Sequence, residues 1–508
     1  MRKALPLIAL VLSGLHVAAQ EFERKYTLDN TQLEVSNASL LADGGYALAM
    51  LDWATNSFIV MRTDQSGEPI WARSFAQQAG ISLGTASTMG QFANGDVYAL
   101  VNGYGSMGEM RTLLRFSQTG VLIWSKQLQF GNMYDMDYSY RAAKVSEQTN
   151  GDLLLSIPAT MDPVIAKLSG NGAPIWAKSF TSTEDTLYDK HPTFDCEPTD
   201  DGGCVICGKD RDWPFVIKVD ANGNVVWNQT YYQVTTYSHL RNMEILPNGD
   251  LLFAGMQDSY AMMMRMSPSG TILWMKHYMD DYYFESLRPL DDGTFMIANG
   301  TYGSLLHVNA DGDVLSRFVQ NSNMSSGLFC LSGEGGAAHL AGNVYDNNTW
   351  ESNAYAARFA PDSPPGCLYT EASATVIDNL GVANTVGTTT MVQQTEPMVV
   401  NDLAIAFQPV SIADGALCGI AAGIEETGNN AVTLFPTLVS EGQPLTIDLG
   451  SFTGAQFQWV ASNGALVKQQ SLNTSKGTLI TVDLATGLYA LLATSNGILV
   501  HTARIVVE

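Results

Sequence analysis

Apolar residues along this chain fall in short runs separated by polar turns that carry glycine. Between those runs there is no three-four spacing of the kind that builds amphipathic helices. Seven phrases share one form: LADGGYALAM, FANGDVYALV, QTNGDLLLSI, TDDGGCVICG, LPNGDLLFAG, LDDGTFMIAN and SGEGGAAHLAG. Each joins Asn-Gly, Asp-Gly or Gly-Gly to an apolar strand, the strongest short-range hairpin signal. A second set follows each of these at an interval of about 19 to 30 residues. Five members, GEPIWARSF, GVLIWSKQL, GAPIWAKSF, GNVVWNQTY and GTILWMKHY, carry Trp71, Trp124, Trp176, Trp227 and Trp274. The sixth, NADGDVLSRF, has Ser316 at the tryptophan position, and the seventh, PDSPPGCLY, keeps only Gly366.

One period is therefore about 50 residues and holds four strand-like runs; in the fourth copy these are HPTFDCEP, GGCVICGK, WPFVIKVD and GNVVWNQTY. Four strands per unit of that length is the signature of a β-propeller blade. An isolated blade leaves both sheet faces uncovered, and packing copies around an axis buries them, with the tryptophan plugging the gap to the next blade. The expected fold is all-β: a seven-bladed β-propeller (six or eight blades also fit the degenerate ends) over residues 20–366. The opening stretch FERKYTLDNTQLEV is expected to supply the strand that closes the ring.

The phrase VDANGNVVW resembles the repeat of quinoprotein-like (PQQ-like) propellers, in which an acidic residue, a turn glycine and a tryptophan follow in that order. The resemblance covers residues 36 to 366 and implies the fold, not an activity, because propellers host many functions. A sialidase Asp-box needs an interval of three from glycine to aromatic; here it is four, as from Gly223 to Trp227, which turns every side chain to the other face. The adjacent cysteines of quinone-dependent alcohol dehydrogenases and any haem attachment motif are missing, so no cofactor is expected.

Residues 367–427 are rich in Thr, Ala and Val and lack the turn phrases, reading as a linker or as accessory strands on the propeller. Residues 428–508 alternate apolar positions between Gly, Asn and Ser turns, the pattern of a small antiparallel β-sandwich. This stretch resembles the type A sorting domain of proteins exported by the type IX secretion system of Bacteroidota. The matching residues are Pro436, Gly464 with Leu466 and Val467, the Leu484, Gly487 and Tyr489 of L-x-x-G-x-Y, Gly497, and Arg504 before a β-branched end. The family's usual Asn-Pro opening and terminal Lys are replaced here by Phe-Pro and Arg504. The resemblance implies an outer-membrane translocon as partner, with the domain cleaved or used for surface attachment.

The start of the chain fits an exported protein. Arg2 and Lys3, an apolar run from Leu5 to Leu12, and the small residues Val17 and Ala19 read as a signal peptide over residues 1–19. No segment is a transmembrane span, so the expected location is secreted or cell-surface. Apolar residues make up 46% and charged ones 15%, enough for a large core. The net charge of −24, from 26 basic and 50 acidic residues, repels phosphate backbones and excludes nucleic acid as a partner. Six cysteines suit an oxidising compartment; a disulfide from Cys196 to Cys204 or Cys207 across one hairpin, and another from Cys367 to Cys418, are expectations, while CVIC reads as a strand rather than a metal site.

Candidate chemistry is sparse. No serine elbow, HExxH motif or phosphate loop occurs, and of the seven histidines the five within the repeats, His191, His239, His277, His307 and His339, fall in different repeats without ligand spacing, so no metal is expected. Asn309, Asp311 and Asp313 hint at a calcium loop but read better as a blade turn. The most polar-aromatic stretches lie between a tryptophan strand and the next repeat. They offer Asp135, Asp137, Tyr138 and Tyr140, then Asp280, Asp281, Tyr282, Tyr283 and Glu285, as a ligand-binding rim for a glycan, a protein or a cation. The preferred expectation is a non-enzymatic binding scaffold with no catalytic residue. The alternative is an extracellular carbohydrate-active hydrolase or lyase with its active site in the propeller funnel.

Overall fold

The structure is a computed structural model. It describes residues 22–507 except 29–32, 79, 106–107, 131–142, 158–161, 183–192, 211–212, 233–237, 300–302, 321–323, 332–336, 347–350, 363–368, 379–384, 388–390, 417–432, 436–437, 440–441, 450–451, 453, 462–465, 483 and 496–497. All regular structure among the described residues is β-strand, and no helix there is long and apolar enough to cross a membrane. The chain divides into two compact units, Met1–Leu417 and Cys418–Glu508.

Among the described residues, the first unit holds seven five-stranded antiparallel sheets. Six of them begin with four consecutive strands, as in Leu33–Leu40, Tyr46–Asp52, Ser57–Thr63 and Pro69–Ala76 of the first, or Thr193–Pro198, Cys204–Asp210, Trp213–Val219 and Val225–Tyr232 of the fourth. Among the described residues the Gly-bearing phrases are the hairpin turns; the SGEGG of 332–336 and Gly366 lie outside them. Leu41 N–H bonds Gly45 O at 2.9 Å while Gly44 N–H bonds Leu41 O at 2.9 Å, a three-residue loop that puts Gly44 at φ 78°. A left-handed residue there turns the chain back in register, and glycine adopts it without steric penalty.

No sheet closes on itself; the sheets close on one another. The first strand of each sheet contacts the first strand of the next, from first to seventh and from seventh back to first. The apolar cores lie between sheets. Val60 and Phe75 of the first meet Leu114 and Phe116 of the second, and Ile206 of the fourth meets Phe180 of the third. This propeller-like arrangement explains why each repeat shows apolar residues on both faces of its middle strands: both Tyr46–Asp52 and Ser57–Thr63 are buried throughout. The seventh sheet takes its fourth strand from the other end of the chain, where Phe22–Thr27 pairs antiparallel with Glu351–Phe359.

Of the two expectations for the stretch after the repeats, the described residues of 369–416 form accessory strands rather than an extended linker. They run backwards around the outside and give every sheet its fifth strand: Tyr369–Glu371 on the sixth, Val376–Asp378 on the fifth, Thr385–Gly387 on the fourth, Met391–Thr395 on the third, Met398–Asp402 on the second, Gln408–Pro409 on the first, and Ala413–Ala416 on the seventh.

In the second unit, a three-stranded sheet (Thr433–Phe435, Pro444–Asp448, Lys476–Ile480) and a five-stranded one share a single core of Leu445, Ile447, Phe457, Trp459, Leu491 and Ile505. Tyr489 donates its hydroxyl to Ala485 O, four residues back, at 2.6 Å, with Leu484 buried beside it. The bond pins the start of the Gly487–Ser495 strand and gives Leu484 and Tyr489 a packing role.

The hairpin disulfide is corrected. Cys196, Cys204 and Cys207 are buried free thiols, and CVIC lies in the strand Cys204–Asp210. Cys196 and Cys204 sit on neighbouring strands two positions out of register and share a thiol hydrogen bond. That bond, then burial, pushes the Cys196 thiol well above its ordinary range. Cys367 and Cys418 lie outside the described residues.

Candidate functional site

The innermost strands carry bulges, with register shifts at Val35/Asn37, Ala86/Thr88, Thr193/Asp195 and Leu240/Asn242. A bulge frees a backbone N–H from its own ladder, and the neighbouring sheet supplies the acceptor. Ala86 N–H bonds Ser36 Oγ at 3.0 Å, Met243 N–H bonds Asp195 Oδ2 at 2.9 Å, and Leu287 N–H bonds Asn242 Oδ1 at 3.1 Å. Asn343 both accepts from Val35 N–H at 2.6 Å and donates to Val35 O at 2.9 Å. These bonds stitch sheet to sheet around the middle.

Where the fifth and sixth sheets meet, the bulge turns Arg241 toward Tyr283 and Glu285. The guanidinium lies over the Tyr283 ring, 4.3 Å from its centroid. Its Nη1 is 3.4 Å from Glu285 Oε1, and Tyr283 donates to the same oxygen at 3.2 Å. Nε donates to His239 Nε2 at 2.8 Å, which requires a neutral imidazole at that nitrogen. Burial, then the charges of Arg241 and Lys209, lower His239 to about 3. Tyr282 is exposed and packs edge-on to Tyr283, with ring centroids 5.4 Å apart. A fixed cation, a carboxylate, a phenol and an exposed ring thus converge on one partly exposed spot: the Arg241 and Glu285 side chains keep 24% and 23% of their exposure. Arg288 and Glu244, on the first strands of the sixth and fifth sheets, pair at 2.9 Å, and Lys144 pairs with Glu197 between the third and fourth sheets. The inner strands of the first and second sheets instead present Asn37, Ser39 and Thr85.

Two of the expected rim residues do other work. Asp281 is buried, takes Arg317 Nε at 3.1 Å and accepts from Ser304 Oγ, tying the loop to the sixth sheet. Asp280 Oδ2 accepts Thr375 N–H at 2.6 Å and so holds the outer segment. Tyr282, Tyr283 and Glu285 remain at the site. Asp135, Asp137, Tyr138, Tyr140 and His191 lie outside the described residues.

The described histidines do not converge. His239, His277, His307 and His339 are all buried, bonded respectively to Arg241, Gln257, Thr294 with Asp362, and Tyr46. Among the described residues no cluster of His, Cys, Asp or Glu has metal-holding geometry. Asn309 uses its side chain to bond Asp311 N–H at 3.0 Å and Asp313 N–H at 2.9 Å, shaping a turn.

The tryptophans stand at sheet boundaries. Trp71 is buried, donates to Gln118 O at 2.9 Å and lies against Gly120 in the second sheet, where an added Cβ would come within 2.6 Å of the indole. Trp176 meets Gly223 of the fourth sheet and Trp274 meets Gly312 of the sixth in the same way, each at 2.8 Å. Trp124 and Trp227 are partly buried against the second–third and fourth–fifth cores. Of the C-terminal motif, Gly487 opens the strand Gly487–Ser495 and Arg504 pairs with Ala490, while Leu466 and Val467 are about half exposed; Pro436, Gly464 and Gly497 lie outside the described residues.

Sequence reasoning missed a repeated ion pair. In the first five sheets the next-to-last residue of the third strand is basic and stands at a bulge, and it reaches the acid of the first hairpin turn: Arg62 to Asp43, Arg115 to Asp96 at 2.8 Å, Lys167 to Asp152 at 3.3 Å, Lys218 to Asp201 at 2.9 Å and Arg265 to Asp250 at 2.8 Å. In the sixth sheet both partners change together, His307 bonding Thr294 at 2.7 Å. Its signal is legible in the phrases MRTD, LRFS, AKLS, IKVD, MRMS and LHVN, each a few residues before the turn glycine.

No protein-family model matches the sequence, and no curated protein matches it. Among solved structures the chain is similar to a streptogramin B lyase (12% identity, TM-score 0.42, 66% of this chain and 97% of that one). It is also similar to the virginiamycin B lyase of Staphylococcus aureus with quinupristin (10%, 0.43, 66% and 99%) and to YCF48 bound to a peptide (12%, 0.37, 66% and 94%). With identities and overlaps this low, the propeller-like description rests on the order and contacts of the chain's own sheets.

Proposed function

We propose that residues 22–416 are a seven-bladed β-propeller serving as an exported, non-enzymatic binding scaffold, with Trp71, Trp124, Trp176, Trp227 and Trp274 docking each blade on the next. Residues 1–19 act as the signal peptide. Residues 428–508 are a β-sandwich sorting domain read by the type IX translocon of a Bacteroidota cell, delivering the protein to the surface or the medium. The ligand, a glycan or a protein, seats on Tyr282, Tyr283, Glu285 and Arg241. The supporting observation is the convergence of these groups beside the inner strands, partly exposed and held from behind by His239. Aromatic faces and a carboxylate are the groups that hold sugar rings and hydroxyls.

The same cluster supports the second reading, an extracellular hydrolase or lyase, because an acid, a phenol and a guanidinium within reach of one another are also catalytic parts. One experiment separates the two. The full mature chain is passed over glycan and peptide arrays, then incubated with each binder while products are followed. Binding without turnover, lost in Tyr283→Ala, supports the scaffold; turnover abolished by Glu285→Gln transfers the protein to the second reading. Export is tested apart from this: deleting residues 428–508 should leave the chain in the periplasm, and undiminished surface delivery would remove the sorting role.

A further inference from the structure

Residues 369–416 add little to the sheets as architecture. Each sheet has four strands without them, and their own strands are short, two residues at Gln408–Pro409 and five at Met398–Asp402. What they do is span boundaries. Leu403, Ile405 and Phe407 pack on the core between the first and second sheets, Met398 and Val400 on the second–third core, and Val410 and Ile412 on the seventh–first core. Phe407 touches rings on both sides of its cleft: Phe75 at 5.7 Å in the first sheet and Phe116 at 5.0 Å in the second. Polar ties fix the path, with Lys126 on Asp402 at 2.5 Å and Arg317 donating to Ser373 O at 3.0 Å.

The weak point of the ring is the seventh sheet. Phe22–Thr27 has no hairpin to its partner Glu351–Phe359, so that seam is held without a covalent turn, by the ladder, by the Tyr355 hydroxyl donating to Glu23 at 3.0 Å and by Tyr26 packed in one core with Ala354 and Ala356. Its other edge is covered by Ala413–Ala416, the last strand of the outer segment. Arg24 sits at this junction, ion-paired with both Asp414 and Glu68, with Nε on Ser66 O at 2.7 Å; Tyr26 donates to Gly67 O at 2.8 Å.

We infer that residues 369–416 are a kinetic latch on the ring. Opening requires Phe22–Thr27 to leave, and that strand is released only after Ala413–Ala416 has been stripped from its outer edge. Six upstream attachments keep the latch strand close to its seat, so each fraying event is reversed by intramolecular rebinding. The segment therefore governs the unfolding rate, the quantity that sets survival where unfolding is irreversible.

The test uses the full chain. A protease recognition sequence is inserted after the exposed Ser411, the protein is folded intact, and the site is then cut, so folding of the variant is not at issue. The expected result is unfolding in denaturant about tenfold faster or more after cutting than before, followed by tryptophan emission, with amide exchange in Phe22–Thr27 rising in step. Conversely, Lys25→Cys with Gly415→Cys, at directly paired positions, should slow unfolding by a similar factor when oxidised relative to reduced. Cut and intact chains unfolding at the same rate with Phe22–Thr27 equally protected, or a cross-link that leaves the rate unchanged, would overturn the latch.

Discussion

Two glycines with nearly the same backbone separate local strain from contact between sheets. Gly120 has φ 76° and Gly151 φ 82°, both in hairpin turns. Around Gly151 an added Cβ meets nothing within 4 Å; at Gly120 it would stand 2.6 Å from Trp71 Cδ2 and 2.9 Å from Cε3. Gly151→Ala should therefore carry only the left-handed penalty, about 1–2 kcal/mol. Gly120→Ala carries that penalty together with the displacement of an indole fixed by its bond to Gln118 O, an overpacking cost of about 1–3 kcal/mol, for a total of about 2–5 kcal/mol. The assay is urea unfolding of both variants and of a Trp71→Leu background in which the cycle with Gly120→Ala is closed. In that background the alanine should cost what it costs at Gly151. Equal losses at the two glycines, or a coupling within about 0.5 kcal/mol of zero, would refute the claim that Trp71 packs on Gly120.

Three further outcomes are expected of the molecule. Stability should fall with acid in two windows. His239 is held neutral, near 3 against 6.5 unfolded, so its contribution is present above 6.5 and lost as the pH drops toward 3, at about 1.4 kcal/mol per unit of separation; His239→Gln should flatten that part of a urea-midpoint profile. Asp201 sits at about 2 because hydrogen bonds from Thr199, Lys218 and Gly203 outweigh its burial, and its contribution is lost between about 4 and 2. Ser259, at φ 70° in the two-residue turn between Gln257 and Tyr260, should gain about 0.5–1 kcal/mol on Ser259→Gly, read as a higher melting temperature. Asp281→Asn should cost about 3–5 kcal/mol by leaving Arg317 without its buried carboxylate, while ligand affinity at Tyr283 is unchanged in isothermal titration.

The repeat was readable because turn and strand signals agree. An Asx-Gly turn demands a left-handed glycine, the flanking strands are buried on both faces, and a large ring lands at a fixed offset; each constraint is local and recurs in sequence. The candidate site was legible only in part. Tyr283 and Glu285 were marked by composition, but neither their role nor that of Asp281 follows from composition. Asp280, Asp281 and Glu285 look alike in the phrase MDDYYFESL, yet one serves the outer segment, one neutralises a buried Arg317 and one faces Arg241. What sorts them is distant partners, 23 and 36 residues away for Asp281 and 95 for Asp280. Arg241 itself carries no local mark; it reaches the site because a bulge between Leu240 and Asn242 turns it there.

The outer segment shows why some structure leaves almost no trace in sequence. A strand laid on the outermost edge of a finished sheet gains its hydrogen bonds from backbone alone, and backbone pairing has no residue code. Its apolar demand is limited to the cleft it crosses. In Met398–Asp402, Val400 is half-buried against the second–third core while Val399 beside it is 52% exposed, so the alternation that announces a half-buried strand is nearly erased. The strands are too short to show a period, and their order around the ring runs against the chain, so neighbouring phrases do not hint at neighbouring sheets. The same features that hide the segment suit it to the role of a latch. Weak, dispersed attachments build little of the fold individually, yet joined in one chain they must be removed in sequence, and the last of them covers the seam at Phe22–Thr27 where the ring would otherwise part.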